Sequence, residues 1–307
     1  MQDYPHIEHF SIIWKIRNWI DRKFVTVTMA PTVLFLALLT IFPTIYLIYS
    51  SFSKWELTDY VPRFVGIENF SNLVFHDSMF WLSLRNTFLF TLISVCLELL
   101  LGLCIALLFN RPIKTGSLLR SLMILPMVLA PIVVGLLWRV MYNPSFGLIN
   151  YFLSALGIES RAWIDQSSTA LGALIVADVW QWTPFMFLMI YSGLQSLPIE
   201  PYEAARVDGA TSWQIFRYLT YPMLRQVLIV ALLFRIIESV KTFDIIFALT
   251  RGGPGTATQT VNIYTFYLAF EWLKPGYAAA LTVIITALVT IVGRRLGKLI
   301  DSEEEKR

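Results

Sequence analysis

Ionisable side chains fall inside stretches that are otherwise apolar enough to lie in lipid, among them Glu98, Arg139, Asp178, Arg235, Glu238, Lys241 and Asp244. A charge in hydrocarbon is costly, so such residues pair with one another or face a water-filled cavity. Arg139 lies near the end of its stretch, where a long cationic side chain can reach back to the interface. Between Leu224 and Leu249, the residues Arg235, Glu238, Ser239 and Thr242 follow i, i+3, i+4, i+7 spacing, which lines one helix face. Lys241 and Asp244 stand three apart on a neighbouring face, where they can pair. Two readings stay open for this cluster: contacts that hold helices together, or the lining of a path that a polar solute crosses. A second group, Trp180 and Trp182 with Asp178 and Gln181, combines flat aromatic faces with hydrogen-bonding groups. That chemistry suits a sugar ring and its hydroxyls, as do Glu238, Thr242 and Asp244. Pro184 beside this group is expected to break its helix and expose backbone to a cavity. The two tryptophans also fit core packing or an interfacial belt.

Catalytic patterns are missing. The sequence has no G-x-x-x-x-G-K-[ST] phosphate loop, so the chain is not expected to hydrolyse ATP. His6, His9 and His76 lie outside the apolar stretches and are too scattered for a metal or a catalytic triad. The run Gly252-Gly253-Pro254-Gly255 has no following Lys-Ser/Thr and reads as a turn. Cys96 and Cys104 share one apolar stretch, form no disulfide framework, and are expected to be small core residues. No catalytic residue, metal or cofactor of its own is therefore expected.

The elements that position these residues follow from composition. The chain of 307 residues is 56% hydrophobic and 15% charged, with mean hydropathy +0.63, well outside the range of soluble domains. Its apolar runs are long enough for membrane helices and too uniformly apolar for barrel strands. Six spans are expected, at about 25–49, 84–109, 121–142, 170–194, 224–249 and 277–292, which makes an all-α membrane protein. His9 to Ile20 reads as a short interfacial helix, and no cleavable signal peptide is evident. Lys15, Arg17, Arg22, Lys23, Arg111, Lys114, Arg120, Arg206, Arg217, Arg225, Arg294, Arg295 and Lys298 all fall on the side of the termini. The positive-inside rule then makes both termini cytoplasmic.

One polar stretch stands out between the fourth and fifth spans: EAARVDGATSWQIFRYLTYP, from Glu203 to Pro222. Glu203, Ala204 and Ala205 make a compact helical turn, and Gly209 permits a sharp one. Ser212 is expected to cap a second short helix from about Trp213 to Leu219, with Pro222 opening the next span.

This stretch resembles the cytoplasmic coupling loop of ABC importer permeases of the carbohydrate-uptake, maltose-type group. The triplet, the Asp208-Gly209-Ala210 step and Pro222 match the family pattern, while Leu219 and Tyr221 replace Ile and Leu. RSLMILPMVLAPIVVGLLWRVMYNPSFGLIN from Arg120, and FDIIFALTRGGPGTATQT from Phe243, resemble further segments of that family. The resemblance covers about residues 85–294 and implies the type I ABC importer permease fold. It divides the chain into an interfacial segment 1–24, a first span 25–50, an extracytoplasmic loop 51–83, a permease core 84–294 with its coupling loop 197–223, and a cytoplasmic tail 295–307. It also implies a multi-pass protein of the bacterial inner membrane that imports a sugar or sugar derivative, and Glu203, Ala204, Ala205, Asp208 and Gly209 as the contact with an ATPase. The implied partners are a second homologous permease, an ABC ATPase dimer that holds ATP and Mg, and an extracytoplasmic solute-binding protein. Membrane lipid surrounds the chain, and no nucleic acid is involved. The alternative is an ion-coupled secondary transporter or channel that uses the Glu238/Asp244 region, with a membrane enzyme third. The polar loop and the lack of inverted repeats weigh against the second reading.

Overall fold

The computed structural model describes residues 23–56, 61–110 and 116–304. The interfacial helix expected at His9 to Ile20, part of the basic loop after Asn110 and the last three residues lie outside that range. Almost all described segments are helical. The first span is α1 (Phe24–Ser51), which meets the rest of the chain mainly through the last helix and the loop after it. That loop is not featureless. It holds a two-residue antiparallel pair, β1 (Ser53–Lys54) and β2 (Arg63–Phe64), and a short helix α2 (Glu68–Phe75).

The second span, α3 (Ser78–Phe109), starts a turn and a half earlier than hydropathy suggests. The Asp77 side chain accepts from the Phe80 N–H and fixes its start, which a window of apolar residues cannot show. The third span is not one helix. It consists of α4 (Gly116–Val128) and α5 (Pro131–Met141), bent by 96°. Ala130 precedes Pro131 and is extended, at φ −59° and ψ 133°, because the proline ring crowds the helical region for its neighbour. After α6 (Leu148–Ala155) comes α7 (Ala170–Gln195), which runs unbroken through Pro184. The expected break there is absent. Pro184 is buried between neighbouring helices, and the packing holds the turn together.

Next come α8 (Glu200–Val207) and α9 (Ser212–Ile215). A π-helical turn at Phe216–Thr220 then joins α9 to α10 (Tyr221–Lys241). The fifth span is thus shorter than expected. It ends at Thr242, and α11 (Asp244–Leu249) follows separately. After α12 (Val261–Phe266), the sixth span is α13 (Pro275–Glu304).

Four described helices, α1, α3, α7 and α13, are long and apolar enough to cross a membrane, and the bent α4–α5 pair makes a fifth. The sixth segment, α10, carries Arg225, Arg235, Glu238 and Lys241 and is held by packing on α3, α7 and α13. Two-thirds of α7's apolar window is buried, against none of α1's, so α7 is the central helix and α1 the peripheral one. Cys96 and Cys104 are on the outside of α3, exposed rather than in the core.

The contact of α3 with α7 is the most extensive in the molecule. It closes at Gly102, where an added Cβ would stand 2.7 Å from Met186 Cβ and 2.9 Å from the Phe187 nitrogen. Small residues at such crossings let backbones approach where lipid offers no hydrophobic drive. Gly102→Val is therefore expected to cost about 1–3 kcal/mol or more through overpacking. A lowered thermal midpoint of the purified protein would show it. Gly172→Ala on the same α7 is the control, because nothing lies within 4 Å of its added carbon. Equal midpoints for the two variants would rule out close packing at Gly102.

Candidate functional site

The core of the bundle contains a charged cluster. Glu98 on α3, Asp178 on α7 and Arg235 on α10 meet with side-chain exposures of 0, 0 and 1%. Arg235 Nε donates to Glu98 Oε2 at 2.6 Å and its Nη2 to Glu98 Oε1 at 2.9 Å, a forked pair. The same Nη2 donates to Asp178 Oδ2 at 2.5 Å. The Trp182 ring covers the guanidinium at 4.9 Å. One turn along α10, Ser239 donates to Thr91 Oγ1 at 3.1 Å, which extends the polar seam between α10 and α3. Ser94 Oγ, Asp178 Oδ1, Gln181 Oε1 and Arg235 Nη1 are buried without a protein partner.

The expected polar face of the fifth span therefore divides. Arg235 and Ser239 are buried, whereas Glu238 and Lys241 are 53% and 61% exposed. Lys241 pairs with Glu238 at 3.1 Å and not with Asp244, because α10 ends between them. Asp244 is exposed at the start of α11. Thr242 closes α10 and donates to the Glu238 carbonyl at 3.2 Å.

Beside Lys241 lies a cleft of about 330 Å³ bounded by α10, α12 and α13. Asn262, Thr265, Thr282, Thr286 and Thr290 supply its polar groups. The sequence reading missed these residues, although Thr282, Thr286 and Thr290 recur every four residues along one face of α13, a pattern visible without a structure. Asn262 donates to the carbonyls of Val240 at 2.8 Å and Thr242 at 3.3 Å, and so meets the free carbonyls where α10 ends.

The tryptophan group does not converge on one cavity. Residues two apart on a helix point to different sides. Trp182 covers Arg235, while Trp180 is 41% exposed and packs edge-on against Trp138 at 5.8 Å. Trp180 faces an apolar cleft of about 720 Å³ with Leu97, Leu101, Leu122 and Pro126. Asp178 and Gln181 are fully buried behind it.

The polar stretch after α7 forms a helical hairpin. Glu203, Ala204 and Ala205 lie on α8, Asp208 is its C-cap, and Gly209 takes φ +76° to turn the chain. The cap of the next helix is Thr211 and not Ser212. Its hydroxyl accepts from the Gln214 N–H at 3.3 Å, while Gln214 Oε1 accepts from the Thr211 N–H at 2.7 Å. No residue of α8 or α9 is buried. Val207 is 88% exposed, and Trp213 and Tyr218 are exposed as well. Between the two arms runs a concave face of about 600 Å³ lined by Pro201, Ala204, Ala205, Asp208, Gly209 and Gln214, among others.

Removing Arg235 from the cluster leaves two buried carboxylates without a counter-charge. Such a loss typically costs about 3–5 kcal/mol, whereas replacing all partners by neutral groups is far better tolerated. Arg235→Met is expected to lower the thermal midpoint sharply, and adding Glu98→Gln with Asp178→Asn should restore much of it. A single variant that melts like the wild type would show that the cluster does not hold the three helices.

A family model described as the binding-protein-dependent transport system inner membrane component matches residues 98–305. Among curated proteins, the chain is 37% identical over 269 residues to the sulfoquinovosyl glycerol transport system permease protein SmoG of Agrobacterium fabrum, covering 87% of each. It is 38% identical over 243 residues to the trehalose/maltose transport system permease protein MalF of Thermococcus litoralis, covering 78% of this chain and 82% of that one. Among solved structures, a chain of a bacterial ABC transporter involved in the import of the acidic polysaccharide alginate superposes with TM-score 0.80 over 94% of this chain and 99% of that one. At 20% identity, that likeness shows the fold. The chain thus has the type I permease fold, and it belongs to the family of binding-protein-dependent transport system inner membrane components.

Proposed function

We propose that this chain is the transmembrane permease subunit of an ABC importer that moves a sugar or sugar derivative, and that it forms part of the translocation path. The observation that carries this reading is the hairpin from Glu200 to Thr220: in a chain of this family, its short helices bury no residue of their own and display a concave face of small residues. Relatives named for trehalose/maltose and sulfoquinovosyl glycerol transport support the carbohydrate class. The remaining partners are a second, homologous permease, an ABC ATPase dimer that binds ATP and Mg, and a solute-binding protein. The charge bias supports a cytoplasmic position for both termini and the hairpin.

The hairpin is the coupling element. Glu203, Ala204, Ala205, Asp208 and Gly209 meet the ATPase. Its second arm continues without a break from Ser212 through the π-helical turn to Lys241, the helix that carries Arg235. Closure of the ATPases on nucleotide would displace the hairpin and, through α10, shift the spans between inward-open and outward-open states. The solute path runs along the exposed end of α10. Glu238, Thr242 and Asp244 meet hydroxyl groups there, next to Asn262 and the α13 threonines. Asp178 and Trp182 support the path from behind by holding Arg235, while Trp180 lines the separate apolar cleft on the other side of α7.

Gly209→Asp adds bulk and charge where the chain itself leaves open space. Glu203→Lys reverses charge on the exposed face of α8. Each is expected to release the ATPase on co-purification and to lower uptake by about tenfold or more, roughly the loss of one good contact. Wild-type uptake with retained ATPase in both variants would remove the hairpin from its coupling role.

The path is tested separately. Glu238→Gln and Thr242→Val are expected to reduce uptake while the complex still assembles, since both side chains lie at an accessible surface. Normal transport by both would place the path elsewhere.

A further inference from the structure

The described residues also enclose a polar cavity of about 370 Å³ at the end of the bundle opposite the hairpin. Gln195 donates to Asn110 Oδ1 at 2.8 Å, which puts the C-terminal ends of α3 and α7 together on the hairpin side. The cavity lies at the other end, around the starts of α3 and α13.

Its walls are fixed. Asn69 donates to the carbonyls of Ser51 and Ser53, each at 3.0 Å, and ties α2 to the end of α1. Asp77 Oδ1 caps α3, and its Oδ2 accepts from the hydroxyls of Tyr264 at 2.5 Å and Tyr277 at 3.0 Å. Burial, reinforced by the Asp77 carboxylate, raises the Tyr264 hydroxyl far above the usual phenol range, so it remains a donor. Three distant segments are thereby locked around one space.

A second set of residues faces the same space and is not used by the fold. The side chains of Lys54, Glu56, Glu68, Asn72 and Lys274 line the cavity and have no hydrogen-bond or ion-pair partner among the described residues. Two aromatic rings stand with them. Trp272 is 48% exposed and is held edge-on by Tyr264 at 5.8 Å and stacked on Tyr267 at 6.4 Å. Trp55 is braced edge-on by Tyr46 at 6.2 Å.

Preformed cavities of about 300–1,000 Å³ with a few convergent polar groups are the usual form of a small-molecule site. The mixture of groups selects the ligand class. Two lysines among three carboxylates suit neither a simple anion nor a simple cation. Unused donors and acceptors in near balance, next to a rigid ring face, suit a molecule whose hydroxyls each give and accept a hydrogen bond and whose ring has an apolar side. We propose that this cavity is a carbohydrate subsite on the outer face of the permease, where a sugar ring lies against Trp272 and its hydroxyls bond Asn72, Glu68 and Lys274. The proposal rests on the carbohydrate reading above and adds a second place on the chain where the solute is held, remote from α10's path.

The test uses the complete transporter complex in lipid nanodiscs, without nucleotide and without binding protein, titrated calorimetrically with trehalose and with maltose. Saturable binding of at least one sugar is expected. Trp272→Ala and Asn72→Leu should each weaken it about tenfold or more, the scale of one lost contact. Trp272→Phe, which keeps a ring face, should retain most of it and shows that the cavity still folds. Gly172→Ala, in open space on α7 and outside both the cavity and the path, should leave this binding in place. Binding that is indifferent to both cavity variants, or lost only with Thr242→Val, overturns the subsite while the carbohydrate reading stands. The same holds if the complex binds neither sugar but, with its binding protein, imports one of them into proteoliposomes. Variants that keep sugar binding but lose the binding protein would make the cavity a protein-docking surface and also overturn the proposal. A complete system that neither binds nor imports trehalose, maltose or sulfoquinovosyl glycerol removes the subsite and the carbohydrate reading together.

Discussion

A guanidinium clamped between two carboxylates, with almost no water contact, sets the relation of three spans. Taking charges out of water costs several kcal/mol per ion, and only good geometry with further hydrogen bonds offsets this. Arg235 meets that demand with a forked pair to Glu98, a bond to Asp178 and a ring face from Trp182. The partners come from two other helices, Glu98 from α3 and both Asp178 and Trp182 from α7. A slip of α10 by one residue would rotate Arg235 away from all of them. Apolar helix faces are nearly interchangeable in lipid, so the cluster supplies the register that Leu and Val cannot. It also leaves Arg235 Nη1 and Asp178 Oδ1 without a protein partner, so the site is strong without being saturated.

The same helix links the cluster to the surface. From Ser212 to Lys241 the chain stays helical, with one π turn at Phe216–Thr220. Tyr202 on α8 donates to Thr220 Oγ1 at 3.2 Å, so the first arm of the hairpin is tied to the base of α10 as well. A push on the hairpin therefore reaches Arg235 through continuous backbone and not through a flexible joint. Gly209 contributes by allowing a tight turn at positive φ, which brings the two arms close enough to frame one concave face.

Local chemistry was legible in the sequence, and long-range pairing was not. The EAA triplet, the Gly209 turn and the order of the spans follow from residue types at fixed spacing. Pro131 and Pro184 show where such reading stops. Each is a proline in an apolar run, yet the chain bends by 96° at the first and stays helical through the second. The difference lies in the neighbours. Pro184 is enclosed, and next to it the Thr183 hydroxyl donates to the Val179 carbonyl at 2.6 Å, whereas Pro131 has an extended residue before it. The end of α10 at Thr242 has no local signal at all, because its carbonyls are met by Asn262, 20 residues on. Arg235 has Glu238 three residues on along its own helix, but that exposed carboxylate does not compete with two buried ones brought to Arg235 by packing.

These two kinds of ion pair suggest how α10 can move. The Glu238–Lys241 pair is more than half exposed on both sides, and pairs of that kind are worth about 0–1 kcal/mol. It can open for a solute hydroxyl at little cost. The Arg235 cluster, three to six residues earlier on the same helix, costs several kcal/mol to break. A transport motion that kept the weak pair and broke the strong cluster would run uphill for no return. On this reading α3, α7 and α10 travel as one body. The adjustable joints are then the break at Thr242–Phe243, bridged by the Asn262 amide, and the 96° bend between α4 and α5. α11 packs chiefly on α5, which puts both joints on the same layer of the fold. Movement at that layer leaves intact the buried charges that hold the register.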